Sequence, residues 1–248
     1  MPEIRIAYLT HQGRVRDHHE DSIAVGPRIL TEPMNAVGEA RFSLGAPVVA
    51  MVADGMGGHP AGEVASRIAI EHLVAGFTRD EAAAPDVGAL LLAANALLFE
   101  DMTKHPERKA MGTTVAGLRI DENRVLAYNV GDSRIYRTDG AGLVQLSIDD
   151  TPRRSPAVAG FAIRTGELTQ CLGGSYARTR IEPHLLEEAL VPGQTYLICS
   201  DGLYDMVPDR VVRQCIGDEL VPSVDRLFER AMRAGGEDNI SVILLRAG

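Results

Sequence analysis

The sequence predicts a layered α+β domain, and three observations support this prediction. Short apolar segments rich in Val, Ile, Leu and Tyr recur along the chain and are bounded by Gly, Asp or Asn, as β-strands are. Two long segments among them carry apolar residues at helical spacing. Strands followed by a helix pair and then by more strands are typical of α+β domains. No repeat or break in composition divides the chain, so residues 1–248 are expected to form one domain.

Each predicted element rests on a local pattern. The first helix is expected to start near Pro60, because proline suits the first helical position, and to stop at Gly76. Apolar periodicity predicts a second helix over 85–102 and a last one over 224–233. The segment 149–174 is the least regular, and its part TPRRSPAVAG (151–160) is expected to be a surface loop. The predicted strands are IRIAYL from Ile4, IAV from Ile23, VVAMVA from Val48, TTVAGLRI from Thr113, RVLAYNV from Arg124, RIYR from Arg134, TYLICS from Thr195 and SVILL from Ser241.

Composition excludes several classes of protein. The formal net charge of −9 argues against a nucleic-acid-binding role, which normally requires a basic patch. No segment approaches the roughly 20 apolar residues of a membrane helix, and the N-terminal segment lacks the pattern of a cleaved signal. The three cysteines, Cys171, Cys199 and Cys215, are too scattered for a disulfide framework or a zinc site. A cytoplasmic protein without membrane or nucleic-acid partners is therefore expected.

Acidic residues stand where predicted strands begin or end. Asp54 ends VVAMVAD, Asp132 follows RVLAYNVG, Asp201 follows TYLICS, Asp238 precedes the last strand, and the pair 20–21 precedes the strand at Ile23. Burying an unpaired carboxylate is costly, so such acids can converge only if cations neutralise them. An all-oxygen site suits Mg²⁺ or Mn²⁺ better than Zn²⁺. For any single Asp-Gly pair, a simple turn is the alternative explanation.

Six motifs carry a family resemblance: GRVRDHHEDS, VADGMGGHPAGEVAS, GTTVAGL, NVGDSRIYR, CSDGLYDMV and GGEDNISVILL. In this order they resemble the signature motifs of the PPM-type (type 2C) metal-dependent serine/threonine protein phosphatases, and DGMGGH resembles the bacterial branch. The resemblance spans nearly the whole chain. It implies a four-layer αββα fold, with two central antiparallel sheets packed as a sandwich, helix pairs on both sides and a metal cleft at one end.

The resemblance also implies a site with two core Mn²⁺ or Mg²⁺ ions. Asp54 is expected to bridge both ions. Asp201 and Asp238 would complete the ligands of the first ion. Glu20 and the backbone carbonyl of Gly55 would bind the second.

Three further roles follow from the resemblance. Asp132 and Asp201 would hold a third, weaker ion, Asp21 would hydrogen-bond to metal-bound water, and Arg16 would bind the substrate phosphate. A metal-activated water would then hydrolyse phosphoserine or phosphothreonine in proteins without a covalent intermediate. The expected partners are phosphorylated proteins, including a serine/threonine kinase that the enzyme opposes. The alternatives are a catalytically silent relative that binds phosphoproteins and a hydrolase of small phosphoesters or nucleotides.

The sequence departs from the family pattern near the predicted site. His19 stands where asparagine is common, and a hydrogen-bond donor there predicts a tuned site and not an inactive one. Met56 replaces a histidine proposed as general acid in some eukaryotic members. His59 is expected to help start the helix at Pro60, with a role as proton donor as the alternative.

The loop after the GDSR motif also departs from the pattern. Many relatives have Asp-His-Ser there, and this chain has Asp149, Asp150 and Thr151 without the histidine. Arg153 and Arg154 are expected to be solvated, with contact to an acidic substrate as the alternative. Five other histidines lack ligand spacing and are expected to be ordinary surface or helix residues: His11, His18, His72, His105 and His184.

Overall fold

A computed structural model describes residues 3–56, 61–78, 85–140, 142–152 and 168–248. The strands are β1 (Glu3–His11), β2 (Ser22–Val25), β3 (Arg28–Leu30), β4 (Gly38–Ser43), β5 (Val48–Ala53), β6 (Gly55–Met56), β7 (Gly112–Thr113), β8 (Val115–Ile120), β9 (Arg124–Val130), β10 (Arg134–Asp139), β11 (Gly142–Gln145), β12 (Leu172–Gly173), β13 (His184–Ala189), β14 (Thr195–Cys199) and β15 (Ile240–Ala247). The helices are α1 (Ala61–Thr78), α2 (Val87–Lys104), α3 (Asp201–Tyr204), α4 (Asp209–Cys215) and α5 (Leu220–Arg233), with a short 3₁₀ turn at Pro106–Arg108.

Two six-stranded antiparallel sheets form the centre of the molecule. The first sheet has the order β11-β10-β14-β15-β1-β4, and the second has the order β13-β9-β8-β5-β2-β3. A small third sheet, β12-β7-β6, lies at the end of β5. The longest pairing joins the two ends of the chain, with Ile4 opposite Ala247 and His11 opposite Ile240. Residues from both termini therefore reach the same end of the first sheet.

Three apolar clusters define the layers. One cluster lies between the sheets and includes Ile6, Val52 and Ile243. The second joins the outer face of the second sheet to α1 and α2, and the third joins the outer face of the first sheet to the helices after β14. This arrangement confirms the predicted αββα sandwich. Within the described residues, three helices cover the first sheet, where a pair was expected.

The end of helix α1 differs from the predicted boundary. It continues through Gly76 to Thr78, and Pro60 lies outside the described residues. A Cβ atom on Gly76 would lie 2.4 Å from Leu90 Cδ2 of α2. The glycine therefore serves close packing between the two helices and does not end α1.

The second helix begins two residues later than predicted. Asp86 is its N-cap, and its side chain accepts a hydrogen bond of 3.0 Å from the backbone N–H of Ala89. A side chain that satisfies an unpaired N–H of the first turn fixes the start of a helix. The helix runs to Lys104, where a cation is favoured by the helix dipole.

Several elements escaped prediction because their patterns are weak. Strands β4 and β13 lie at or near sheet edges with exposed residues, so they lack a continuous apolar segment. Helices α3 and α4 have only 4 and 7 residues. Such lengths give too little periodicity to recognise.

The described helices include none that is long and apolar enough to cross a membrane. All three cysteines are free, and Cys199 is fully buried in β14 as expected.

Candidate active site

Arg16 and Asp238 meet at the rim of a cleft at one end of the two sheets. Arg16 Nη2 donates a hydrogen bond of 2.5 Å to Asp238 Oδ2, and about half of the Arg16 side chain is exposed. The cleft has a volume of about 650 Å³ and is also lined by Asp201, Asp205 and Glu237. A cation beside several carboxylates at an open cleft is suited to receive an anionic substrate.

Asn239 fastens the loop that carries Arg16 and Glu20. Its side-chain amide donates to the carbonyls of Gln12 and His18 at 2.9 and 3.0 Å, and its Oδ1 accepts from the N–H of Glu20 at 2.7 Å. One buried amide therefore holds both ends of this loop against the turn before β15.

Asp54 is positioned through its backbone by two threonines. Its N–H donates to Thr114 Oγ1 at 3.1 Å, and its carbonyl accepts from Thr113 Oγ1 and from the N–H of Thr114, both at 2.9 Å. Thr114 Oγ1 in turn contacts Ser133 Oγ at 2.7 Å. The GTT and GDS motifs thus fix the residue between β5 and β6 and leave the Asp54 carboxylate outside this network of hydrogen bonds.

Glu20 lies against the start of α1. Its carbonyl accepts hydrogen bonds from Ser66 Oγ at 2.6 Å and from the N–H of Gly55 at 3.2 Å. A Cβ atom on Gly62 would lie 2.6 Å from Glu20 Oε1, and one on Gly55 would lie 2.2 Å from the carbonyl oxygen of Gly62. Both glycines are therefore required for the close approach of three chain segments.

Asp21 is buried among hydroxyl groups. Its Oδ2 accepts hydrogen bonds from Ser241 Oγ at 2.6 Å and Ser200 Oγ at 2.9 Å. Its Oδ1 is buried and has no hydrogen-bond partner among the described residues. Burial raises the pKa of Asp21 to about 7, with further contributions from the charges of Asp238 and Glu20.

The pKa values of two more carboxyl groups are raised. Burial, together with the charges of Asp238, Asp132 and Asp21, raises the pKa of Asp201 to about 8. Burial also raises the pKa of Asp54 well above its ordinary value, and so do the charges of the same three residues and Asp201. Buried Asp201 Oδ1 has no hydrogen-bond partner in the described part of the chain. The described residues therefore offer these carboxyl groups too few donors and positive charges to stabilise their ionised forms.

Asp132 belongs to the same region and has a partner of its own. Burial raises its pKa, and a hydrogen bond from the Tyr204 hydroxyl opposes that increase. The Arg134 guanidinium lies 3.7 Å from the centre of the Tyr204 ring and pairs with Asp149 at 2.7 Å. Tyr204 is thus held in place by a cation–π contact.

The predicted acids share one region without forming a closed chelate. Each of Asp21, Asp54 and Asp201 is close enough to Asp238 for its charge to raise their pKa values. Yet nowhere in the described ranges are three or more His, Cys, Asp or Glu side chains gathered tightly enough to hold an ion. Mutual repulsion between like charges is a sufficient reason for this separation.

Comparisons with known proteins place the chain in a family. The family model of protein phosphatase 2C matches residues 37–244. The chain belongs to the protein phosphatase 2C family. This confirms the resemblance carried by the six motifs.

Two curated relatives of this phosphatase 2C domain are serine/threonine phosphatases. The chain is 32% identical to PstP of Mycobacterium tuberculosis over 97% of its own length and 44% of that protein, so it spans less than half of this relative. It is 29% identical to the phosphatase stp of Listeria monocytogenes, over 96% of its own length and 94% of the relative.

Solved structures show the same fold. A crystal structure of Mycobacterium tuberculosis PstP has a TM-score of 0.80 at 31% identity, covering 98% of both chains. A structure of the PstP catalytic domain in complex with two manganese ions has a TM-score of 0.77 at 30% identity, covering 100% of this chain and 99% of that one.

The phosphatase 2C domain contains a buried carboxylate whose partners the sequence did not suggest. Asp150 lies where many relatives have histidine, and its carboxylate accepts hydrogen bonds of 2.8 Å from Gly131 N–H, Gln170 Nε2 and His184 Nε2. His184 was expected to be an ordinary surface or helix residue, and it is instead a half-buried residue of β13. His11 likewise lies in a strand, at the end of β1. No local pattern in the sequence indicates the contacts between Asp150 and His184, because the two residues are distant in sequence.

Some predicted residues cannot be placed. His59, Arg153 and Arg154 lie outside the described residues. Met56 lies in β6 beside the site, partly exposed.

Proposed function

We propose that this domain is a manganese- or magnesium-dependent phosphatase that hydrolyses phosphoserine and phosphothreonine in proteins. One observation carries the proposal: buried oxygens of Asp21 and Asp201 have no hydrogen-bond partner in the described chain and lie among other carboxylates. Buried acids of this kind require either protons or cations to neutralise them.

The chemistry of the donors fits hard divalent cations. The six residues proposed to hold metal offer only oxygen atoms, which Mg²⁺ and Mn²⁺ prefer, and include neither histidine nor cysteine. They are Glu20, Asp54, Gly55 (through its carbonyl), Asp132, Asp201 and Asp238. Cations would draw the separated carboxylates together, because they cancel the repulsion that raises the pKa values of Asp54 and Asp201. The two manganese ions of the PstP structure support this assignment by similarity.

The residues of the chain have separate roles in the proposed reaction. When bound, the metal ions would supply a hydroxide equivalent near neutral pH and offset charge on the phosphoryl oxygens. Asp54, fixed by Thr113 and Thr114, would hold its carboxylate between the two core positions. Asp21 would orient the attacking water through a hydrogen bond, since its Oδ1 is not used by a protein donor in the described residues.

Arg16 is proposed to bind the substrate phosphate. Its guanidinium is half exposed at the mouth of the cleft and is held by Asp238, which leaves several of its N–H groups for another acceptor. The planar group suits two phosphate oxygens at once. The open cleft suits a side chain presented on a protein surface.

The names of the relatives support the choice of substrate class. PstP and stp are named serine/threonine phosphatases, which favours phosphorylated proteins over small phosphoesters as substrates. Because removal of phosphate from serine and threonine reverses the action of serine/threonine kinases, we propose that the enzyme opposes such a kinase in the cytoplasm.

Phosphate release measured with and without metal tests the proposal. The purified chain should hydrolyse p-nitrophenyl phosphate and a phosphothreonine peptide with Mn²⁺, and EDTA should abolish both reactions. Turnover of the small ester alone would exclude the protein phosphatase and favour a small-molecule hydrolase. Metal binding without turnover of either would favour a phosphoprotein-binding relative.

A further inference from the structure

A continuous chain of buried side chains links His19 to Asp21 through the paired terminal strands. His19 Nε2 lies 2.9 Å from Thr10 Oγ1, which lies 2.7 Å from Ser241 Oγ, and Ser241 Oγ lies 2.6 Å from Asp21 Oδ2. Thr10 and Ser241 are directly opposite each other in the β1–β15 pairing. All four residues are at most 8% exposed. Solvent therefore cannot replace these contacts, and each of them needs a proton from one of its two partners.

The direction of the chain follows from counting protons. When Asp21 is ionised it can only accept, so the single hydroxyl proton of Ser241 is donated to it, and the contact between Thr10 and Ser241 then requires the proton of Thr10. The contact between His19 and Thr10 then requires a proton on His19 Nε2. Nε2 carries this proton in the cation and in one of the two neutral tautomers. His19 Nδ1 is buried and has no partner in the described part of the molecule, so it does not determine the tautomer.

The N–H donor of His19 excludes the alternative direction of the Thr10 and Ser241 hydroxyl protons. Thr10 and Ser241 are both hydroxyl groups, so each can donate in either direction. If Thr10 turned its proton toward residue 19, Ser241 would be free to donate to Thr10, and Asp21 would lose its shortest hydrogen bond. A ring N–H at position 19 can only donate to Thr10, and this fixes both hydroxyl groups toward Asp21. Asp21 Oδ2 then receives two donors, Ser241 and Ser200, which fix the rotation of the carboxylate and the position of Oδ1.

We propose that His19 is a positioning residue that polarises this hydrogen-bond chain toward Asp21 and so fixes the carboxylate for its role in the phosphatase reaction. The catalytic role of Asp21 in this proposal rests on the proposed function. The proton on His19 Nε2 is inferred from the hydrogen-bond geometry alone. The proposal also explains how histidine can stand at position 19 in place of asparagine, because both side chains carry an N–H donor.

The nitrogen NMR spectrum of the His19 ring tests the direction of the chain without reference to activity. In the metal-free wild-type protein, at a pH high enough to ionise Asp21, Nε2 should appear protonated, with its proton protected from exchange with water. The Thr10→Val variant should lose that protection. A spectrum in which Nε2 is unprotonated would overturn the proposal even if the enzyme is an active phosphatase. Conversely, a protein without phosphatase activity would still show the predicted spectrum.

Paired variants test the consequence for catalysis. His19→Asn keeps a donor and should retain most of the wild-type kcat, whereas His19→Leu should lower kcat about tenfold or more with little change in KM. Adding Thr10→Val to His19→Leu should lower kcat little further, because both changes break the same chain. Equal losses in the Asn and Leu variants, or losses that multiply in the double variant, would indicate packing alone and overturn the proposal. Unfolding curves identify any variant that fails to fold. The spectrum of the wild-type protein tests the proposal independently of the variants.

Discussion

Two aspartates with buried carboxylate oxygens, Asp150 and Asp201, show how differently this fold treats a negative charge. Asp150 is 7% exposed and receives three protein hydrogen bonds, from Gly131, Gln170 and His184. Asp201 has a buried oxygen without a partner among the described residues and lies among other acids that raise its pKa. The described residues satisfy the hydrogen-bonding capacity of both Asp150 carboxylate oxygens, and they leave one oxygen of Asp201 without a partner.

We propose that this difference separates a structural acid, Asp150, from a functional one, Asp201. A buried charge with a full set of donors stabilises the fold, because removing it leaves the donors unpaired. A buried charge among like charges destabilises the fold until something else binds. Three changes test this contrast, from the largest expected effect on turnover to the smallest.

The largest effect is expected from Asp201→Asn. It should lower Mn²⁺-dependent turnover by about a thousandfold or more, since metal ions supply several kcal/mol of charge stabilisation. The same change should leave the metal-free protein as stable as wild type or more stable, because it removes one of the repelling charges. Turnover of a phosphothreonine peptide and urea denaturation measure the two quantities.

Asp218→Asn is the matched control, because Asp218 is exposed and distant in sequence from the acidic motifs. It should change neither turnover nor stability. If Asp201→Asn retained turnover near that of Asp218→Asn, the functional role of Asp201 would be wrong.

A smaller effect, and of the opposite kind, is expected from Asp150→Ala. It should lower the free energy of unfolding of the metal-free protein by about 2–3 kcal/mol, because three donors lose their acceptor. Stability should fall with or without Mn²⁺. Urea denaturation of this variant beside His184→Ala, which removes only one donor, measures the effect. A loss no greater than that of His184→Ala would show that Asp150 does not hold the three donors together.

The change with the least bearing on turnover is one of pH, applied to the metal-free protein. The pKa of Asp21 is about 7 and that of Asp201 about 8 in the folded state, whereas an unfolded aspartate has a pKa of about 4. The folded protein therefore binds more protons than the unfolded one between these values, and its stability should fall as the pH rises from about 4 to about 8.

Bound Mn²⁺ should oppose this decrease, because metal binding favours the ionised carboxylates. Thermal unfolding across the pH range, with EDTA or with Mn²⁺, measures both trends. Metal-free stability that rises over this interval would show that the carboxylates do not repel one another as described.

Local patterns in the sequence were sufficient to predict a layered α+β domain and the acids at the strand ends, and the family resemblance added the sandwich of two sheets. The Asp-Gly pairs and the apolar segments before them locate Asp54 and Asp201 without knowledge of the fold. The supporting contacts could not be predicted in this way. Thr10 and Ser241 meet only because β1 pairs with β15, and Asp150 meets His184 only because β13 lies beside β9.

The helix boundaries show a similar limit. Gly76 resembles a helix stop in the sequence, yet α1 continues through it because Leu90 of α2 occupies the space beside it. Tertiary packing, which no local pattern encodes, decides the outcome there.

The central claim is that the acids at the cleft are held ready for cations, and a calorimetric titration of the metal-free protein with Mn²⁺ tests it most directly. The wild-type protein should bind two ions tightly, as in the PstP structure, and Asp150→Asn should bind as many. Asp54→Asn should weaken tight binding by about tenfold or more. Binding by Asp54→Asn that matches the wild-type isotherm would contradict the account.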